Sequence, residues 1–156
     1  MKVTIRARAS VSGNAPPLPG FVASAFSPLA AESARQCLMS AGPVADRTAI
    51  IIVSASGDVG TTRSTSLAVD AGKRPGPLLF FQAVPNAVAG YIAAKHGLHG
   101  PVVCLSLAAP AEQEGIAVAD LLIRDGDADE ALVISVEQST DDPESGTASA
   151  VLVKSI

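Results

Sequence analysis

Tryptophan is missing from this chain of 156 residues, and four phenylalanines and one tyrosine are its only aromatic side chains. The core must therefore be built from Ala, Val, Leu and Ile. Cysteine is nearly absent as well: Cys37 and Cys104 stand alone, and the opening MKVTIRARAS lacks the long apolar core of a secretory signal. These features lead to the expectation of a reduced, cytoplasmic protein. No long hydrophobic run is present either. The longest uncharged stretch, Ala9 to Ala31, carries Pro16, Pro17, Pro19 and Pro28 among Gly, Ser and Asn, so it cannot supply a regular membrane span. A basic excess is lacking too, since the formal net charge is −4. Through residue 100 nine Lys/Arg face four Asp/Glu, and beyond it two face eleven. Phosphate binding needs a concentrated basic surface, so nucleic acid is not the expected partner, although Lys73, Arg74 and Lys95 could meet something acidic.

What is present fits one domain over residues 1–156, long enough to bury roughly 70% of the unfolded surface. Met1 to Ala9 alternates, with Val3, Ile5 and Ala7 on one face and Lys2, Thr4, Arg6 and Arg8 on the other, as a half-buried strand does. Ala30 to Ala41 has apolar residues at helical spacing and stops at Gly42-Pro43. The run Ala49 to Val53 suits a strand covered on both faces. Ser56 to Pro77 reads as polar and irregular. A helix is expected from near Pro85 to Gly97, a strand over Val102 to Leu107, a helix over Pro110 to Arg124, and strands over Ala131 to Val136 and Thr147 to Val153. In the helix from Pro110, Ala111, Gly115, Val118, Ala119 and Leu122 form the apolar face, and Glu112, Gln113, Asp120 and Arg124 lie across from them with Ile116 and Ile123. The order is βαβαβαββ, an α/β fold with a five-stranded mixed sheet covered by helices on both faces and a last strand antiparallel to its neighbour.

One stretch is more specific. Val84 to Gln138 contains Asn86, Ala89 and Gly90 in an N-x-x-A-G pattern, then Gly97, Leu98, Gly100 and Pro101, and finally Ile123, Arg124, Gly126, Asp127, Ala128 and Asp129. It resembles the N-terminal half of a β-ketoacyl synthase of the thiolase superfamily. The resemblance implies one half of a thiolase fold. It also implies that the turn Leu107-Ala108-Ala109-Pro110 holds the family's nucleophile position, where catalytic members carry a cysteine at the start of a helix whose dipole and N–H groups favour a thiolate. Ala109 stands there, and a methyl group neither attacks a thioester nor ionises. The two histidines that the family draws from its C-terminal half do not occur before Ile156. No catalytic residue is therefore expected in this chain.

Other candidates are weaker. Cys104 and Cys37 read as small buried hydrophobes, and a dyad of Cys104 with His96 or His99 has no motif behind it. The glycines of Ser54 to Thr62 lack a G-K-[ST] ending and are followed by no convincing helix, so they read as a surface loop and not a phosphate cradle. The acids of Asp125 to Glu130 lack the twelve-residue Ca²⁺ pattern. Neither a metal nor a cofactor is expected.

Within the resembling family the non-catalytic class is the chain-length factor, which closes the far end of an active ketosynthase's acyl tunnel. The chain looks like a short member of that kind, associated with aryl polyene and related type II polyketide pathways. A cognate β-ketoacyl synthase and an acyl carrier protein are the implied partners, in a dimer or higher oligomer. The family's dimer contact implies an interface at Val102, Val103, Cys104, Leu105, Ser106 and Leu107. It also implies tunnel-end or interface positions at Phe80, Phe81, Val84, Asn86 and Tyr91. Two other readings stay open: a homodimeric ligand-binding or regulatory module, and an acyltransferase using Cys104.

Overall fold

The computed structural model describes residues 2–107, 111–142 and 144–156. The chain runs β1 (Val3–Gly13), α1 (Phe26–Ala41), β2 (Thr48–Val53), α2 (Val59–Asp70), α3 (Pro77–Gln82), α4 (Pro85–His96), β3 (Val102–Leu105), α5 (Ala111–Arg124), β4 (Glu130–Gln138) and β5 (Gly146–Ser155). The five strands form one mixed sheet in the order β1-β5-β4-β2-β3. β2 pairs parallel with both β3 and β4, whereas β5 is antiparallel to β4 and to β1.

The two faces of the sheet are filled by alternate residues of the same strands. Ile50, Ile52, Leu132, Ile134, Ala150 and Leu152 point to α1 and α4, where Phe26, Leu29, Ala34, Val88 and Ile92 meet them. Ala49, Ile51, Val53, Ala131, Val133, Val151 and Val153 point the other way, to Ile116 and Ala119 of α5. Every residue of β2 is buried. A strand with water on neither side has no use for polar alternation, which is why its sequence is a plain β-branched run.

α5 comes close to this sheet because it presents glycine. A Cβ at Gly115 would lie 2.5 Å from Val133 Cγ1 and 3.1 Å from Val53 Cγ2. Gly100 does the same for the turn into β3, where a Cβ would come within 2.5 Å of the Thr48 backbone. Ion pairs tie the layers at their rims: Arg8 of β1 grips both oxygens of Glu112 at 2.6 and 2.9 Å, and Arg6 donates to the buried Glu130 at 2.6 Å, which also accepts from Ala45 N–H at 3.1 Å. Glu112 thus holds a cation, and Asp120 accepts from the Lys2 N–H at 2.6 Å.

Several sequence expectations need correction. Residues 56–77 are not irregular throughout, because α2 occupies Val59–Asp70, and α3 adds a turn of helix before α4. α1 starts at Phe26 with Pro28 in its first turn, a position where the missing N–H costs nothing. β1 does not alternate strictly: its register shifts between Ile5 and Ala7, so Ile5 is 50% exposed while Ala7 is buried. Ile116 is buried under the sheet, not on the outer face of α5.

Substituting Gly115 by Ala should cost about 1–3 kcal/mol, since Val133 is packed and stiff at χ1 and the helix has to lift. Urea unfolding of G115A against the parent chain checks this; an unchanged midpoint would show that α5 can shift freely.

Candidate functional site

The parallel strands β2, β3 and β4 deliver their carboxyl ends to one end of the sheet, the place where open α/β folds carry their ligands. There a cavity of about 330 Å³ opens between the end of β2, the end of β3 and the first turn of α4, with Ile52, Ser54, Ser56, Pro85, Cys104 and Ser106 on its wall.

The loop after β2 forms one side of the cavity and is held by side chains from three directions. Ser54 Oγ accepts from Gly57 N–H at 2.9 Å, and Gly57 takes a left-handed φ of 67° that favours glycine. Glu137, near the end of β4, accepts from the N–H groups of Ala55 and Ser56. Its neighbour Gln138 accepts from Gly60 N–H at 3.0 Å. The buried Asp58 caps α2, accepting from Thr61 N–H at 2.8 Å and from Thr61 Oγ1 at 2.8 Å, while Ser24 Oγ donates to it at 2.6 Å. A carboxylate with three donors and no cation is satisfied by hydrogen bonds alone. The expected surface loop is thus a fixed wall leading into a helix. D-x-x-T at 58–61 was the available sign of that helix, but the Thr/Ser-rich run behind it shows little apolar periodicity.

Cys104 was expected to be buried, and it is not. β3 is the edge strand of the sheet, so Val102 and Cys104 on its α4 side are exposed, whereas Val103 and Leu105 turn toward α5 and are partly buried. The Cys104 thiol donates to Asn86 Oδ1 at 2.9 Å, and desolvation pushes its pKa up. That environment disfavours a thiolate. Neither histidine serves it: His99 Nδ1 is 2.7 Å from Asp46 Oδ1 at the amino end of β2, and His96 closes the last turn of α4. Cys37 is buried in α1, with its pKa also raised by desolvation.

The structure brings part of the expected interface together. Phe80 and Phe81 meet edge to face at 6.2 Å on α3, yet they are 71% and 65% exposed, with Leu78 at 71% and Val84 at 45%. They are not core residues. Asn86 faces β3, and Ser106 Oγ reaches the Ala55 carbonyl at 3.4 Å. Tyr91 turns instead toward the segment before α1, its ring 6.1 Å from Phe21. Leu107 packs at the margin of the α5-side core. Ala109 lies outside the described residues. Among the described residues no cluster of three or more His, Cys, Asp or Glu could hold a metal ion, and no helix is long and apolar enough to cross a membrane.

The family model of the beta-ketoacyl synthase, N-terminal domain, matches residues 22–151. The chain belongs to this family. Solved structures agree in fold. A chain from the complex of the ketosynthase ApeO with its chain length factor ApeC, from Xenorhabdus doucetiae, superimposes with a TM-score of 0.76 at 17% identity, over 100% of this chain and 80% of that one. The ishigamide ketosynthase/chain length factor gives 0.76 at 16% identity, over 99% of this chain and 62% of that one. The 3-oxoacyl-(acyl carrier protein) synthase III FabH of Pseudomonas aeruginosa PAO1 gives 0.65 at 21% identity, over 100% of this chain and 52% of that one. The chain thus spans between about half and four-fifths of the length of these ketosynthase-fold chains. No curated protein sequence matches.

Asp58→Ala should lower stability by about 2 kcal/mol, because it removes the α2 cap and leaves Ser24 and Thr61 hydroxyls without their acceptor. Hydrogen exchange reads the local part: Gly60 and Thr61 amides should lose protection ahead of β2, and equal loss across the sheet would mean the loop is not held by Asp58.

Proposed function

We propose that this chain is a non-catalytic, chain-length-factor-like subunit that pairs with an active β-ketoacyl synthase and shapes its acyl tunnel. The observation that carries the reading is the exposed apolar surface of α3 and the α3–α4 junction, with Leu78, Phe80, Phe81 and Val84, together with the uncovered edge of β3, against which α4 packs. An aromatic-poor chain spends two of its five aromatic residues here without burying either. Burying a side chain of that size contributes about 1.5–3 kcal/mol, and an open strand edge offers unpaired backbone groups to a second strand. Both features fit an obligate partner, which in this reading is the cognate ketosynthase, with an acyl carrier protein delivering the growing chain.

Alanine at position 109 supports the non-catalytic part of the reading. The raised pKa of Cys104, with an amide oxygen and no base beside it, weighs against the acyltransferase alternative. After incubation with an acyl-CoA or an acyl carrier donor, intact-mass measurement should find no covalent adduct. A stable adduct mapped to Cys104 would move the assignment to an enzyme.

Assembly and tunnel shape separate in a second experiment. Light scattering should find the chain dimeric or larger at micromolar concentration, with the heterodimer preferred when the ketosynthase is added, and Phe81→Glu should weaken association at least tenfold. Phe80→Ala or Val84→Ala should leave the complex assembled yet lengthen the product, because steric volume sets where the acyl chain stops. Unchanged product length with lost stability would assign these residues to packing alone.

A further inference from the structure

A second cleft, of about 320 Å³, lies on the α1/α4 side of the sheet and takes no part in the proposed pairing. Its size is at the lower end of the range of small-molecule sites. One wall is the turn Pro16–Pro19, pinned to the body by the buried Leu18 and by a hydrogen bond from Phe21 N–H to the Leu18 carbonyl at 3.0 Å. Prolines have no N–H to offer, so this wall is apolar and stiff. Pro28 and Ile92 continue it across the floor.

The opposite wall carries the donors that no carboxylate holds. Lys95 Nζ sits 5.5 Å from the centre of the Tyr91 ring and donates to Tyr91 Oη at 3.3 Å, which leaves its other N–H groups and the tyrosine O–H free to point elsewhere. His96 follows at the end of the same helix, and among the described residues its ring has no hydrogen-bond partner. The facing charges on α1 are paired with each other. Arg35 holds Glu32 with two bonds of 2.8 and 2.7 Å, and this pairing keeps the Glu32 carboxyl at a pKa of about 2, always ionised at neutral pH. The proline turn brings no charge. Lys95 and Arg35 against Glu32 therefore leave the cleft one positive charge in excess, beside an imidazole whose pKa is lowered by desolvation, then by Lys95, then by Arg35.

We infer that this cleft binds a small organic carboxylate with an apolar body, the body against Pro17, Leu18, Pro28 and Ile92 and the carboxylate on Lys95, Tyr91 Oη and His96. A neutral ligand would make no use of the excess positive charge. A multiply charged one would meet Glu32 across the cleft and prolines that cannot donate. A bound carboxylate also reverses the field at His96. The imidazole then gains an acceptor for its N–H and an anion beside it, so its protonated form is favoured and its pKa rises.

Octanoate and benzoate are suitable probes, followed by proton NMR of the two imidazoles. His99, tied to Asp46 at the amino end of β2, serves as an internal control. The expected result is a saturable shift of His96, a His96 pKa raised by about one unit at saturation, corresponding to tenfold coupling between ligand and proton, and a still His99. Acetate, without the apolar body, and octanol, without the charge, should bind at least tenfold more weakly than octanoate. Lys95→Met keeps the aliphatic stem and should weaken octanoate by about tenfold, as loss of one charge-assisted hydrogen bond does. His96 unmoved by either acid up to millimolar concentration would overturn the proposal. So would octanol binding as tightly as octanoate, or octanoate affinity unchanged in Lys95→Met. The exposed edge and α3 are untouched by these changes, so a failure here leaves the ketosynthase pairing as it stands.

Discussion

Burial of β2 on both faces is the constraint from which the other features of the molecule follow. The six residues from Thr48 to Val53 are each at most 1% exposed. Their backbone groups must then be satisfied by neighbours on both sides, and β3 and β4 supply them through parallel ladders. Parallel pairing requires each neighbour to be reached by a crossover, so helices necessarily cover both faces. It also forces three carboxyl ends to one rim. The cavity beside Cys104, the loop clamped by Glu137 and the start of α5 are all there because the strands cannot run any other way.

A rim of that kind is polar and would be loose if left to water. Here the sheet's own last residues fix it: Glu137 and Gln138, the last two of β4, accept from backbone N–H groups of the opposite loop, while Asp58 gathers Ser24 and Thr61. Each such bond contributes only about a kcal/mol net, but breaking one inside a desolvated cluster costs the full penalty of the abandoned group. The cluster is thus held as a set, and it fixes the wall of a cavity whose remaining sides are the aliphatic ends of β2 and β3. The pocket so formed has no charged side chain on its wall, and desolvation pushes the pKa of its Cys104 thiol up.

Legibility in the sequence followed the physics of each segment. β2, β4 and β5 could be read because burial on both faces leaves an unmistakable apolar run, and α4 because Pro85 and Gly97 mark its ends. α2 could not be read from period, since Thr61 to Thr65 places hydroxyls where a helix usually places apolar residues; its stability comes from Asp58 and from the neighbouring α3. Ile5 was assigned inward because nothing in residues 1–9 announces a bulge. The error at Cys104 was of another type. Composition says that a cysteine in an apolar strand is buried, whereas only the order of strands says that this strand is the last one. The motif positions Asn86, Gly100 and Asp129 led to the right family by resemblance, and the structure supplies a reason for two of them: Asn86 accepts from Cys104, and Gly100 leaves no room for a side chain over Thr48.

The two ends of the sheet differ in what they expose, and the difference gives recognition a direction. On the α5 face beyond that helix, Ser10, Ser149 and Ser135 form one rung across β1, β5 and β4, and Ser12, Thr147 and Glu137 form the next. The rung between them carries Val11, Ala148 and Val136 on the other face, under α1. Alternation of this kind is the mark of a face built for water or polar contact, and it offers a partner little apolar area to bury. At the opposite edge β3 is short and paired on one side only, and α3, which precedes the α4 helix packed on it, exposes Leu78, Phe80 and Phe81. Association driven by the hydrophobic effect is proportional to apolar area removed from water, so its free energy is available on the β3 side and scarce on the β1 side. The cavity at the carboxyl ends of β2 and β3 lies toward that same edge, with Cys104 and Ser106 on its wall.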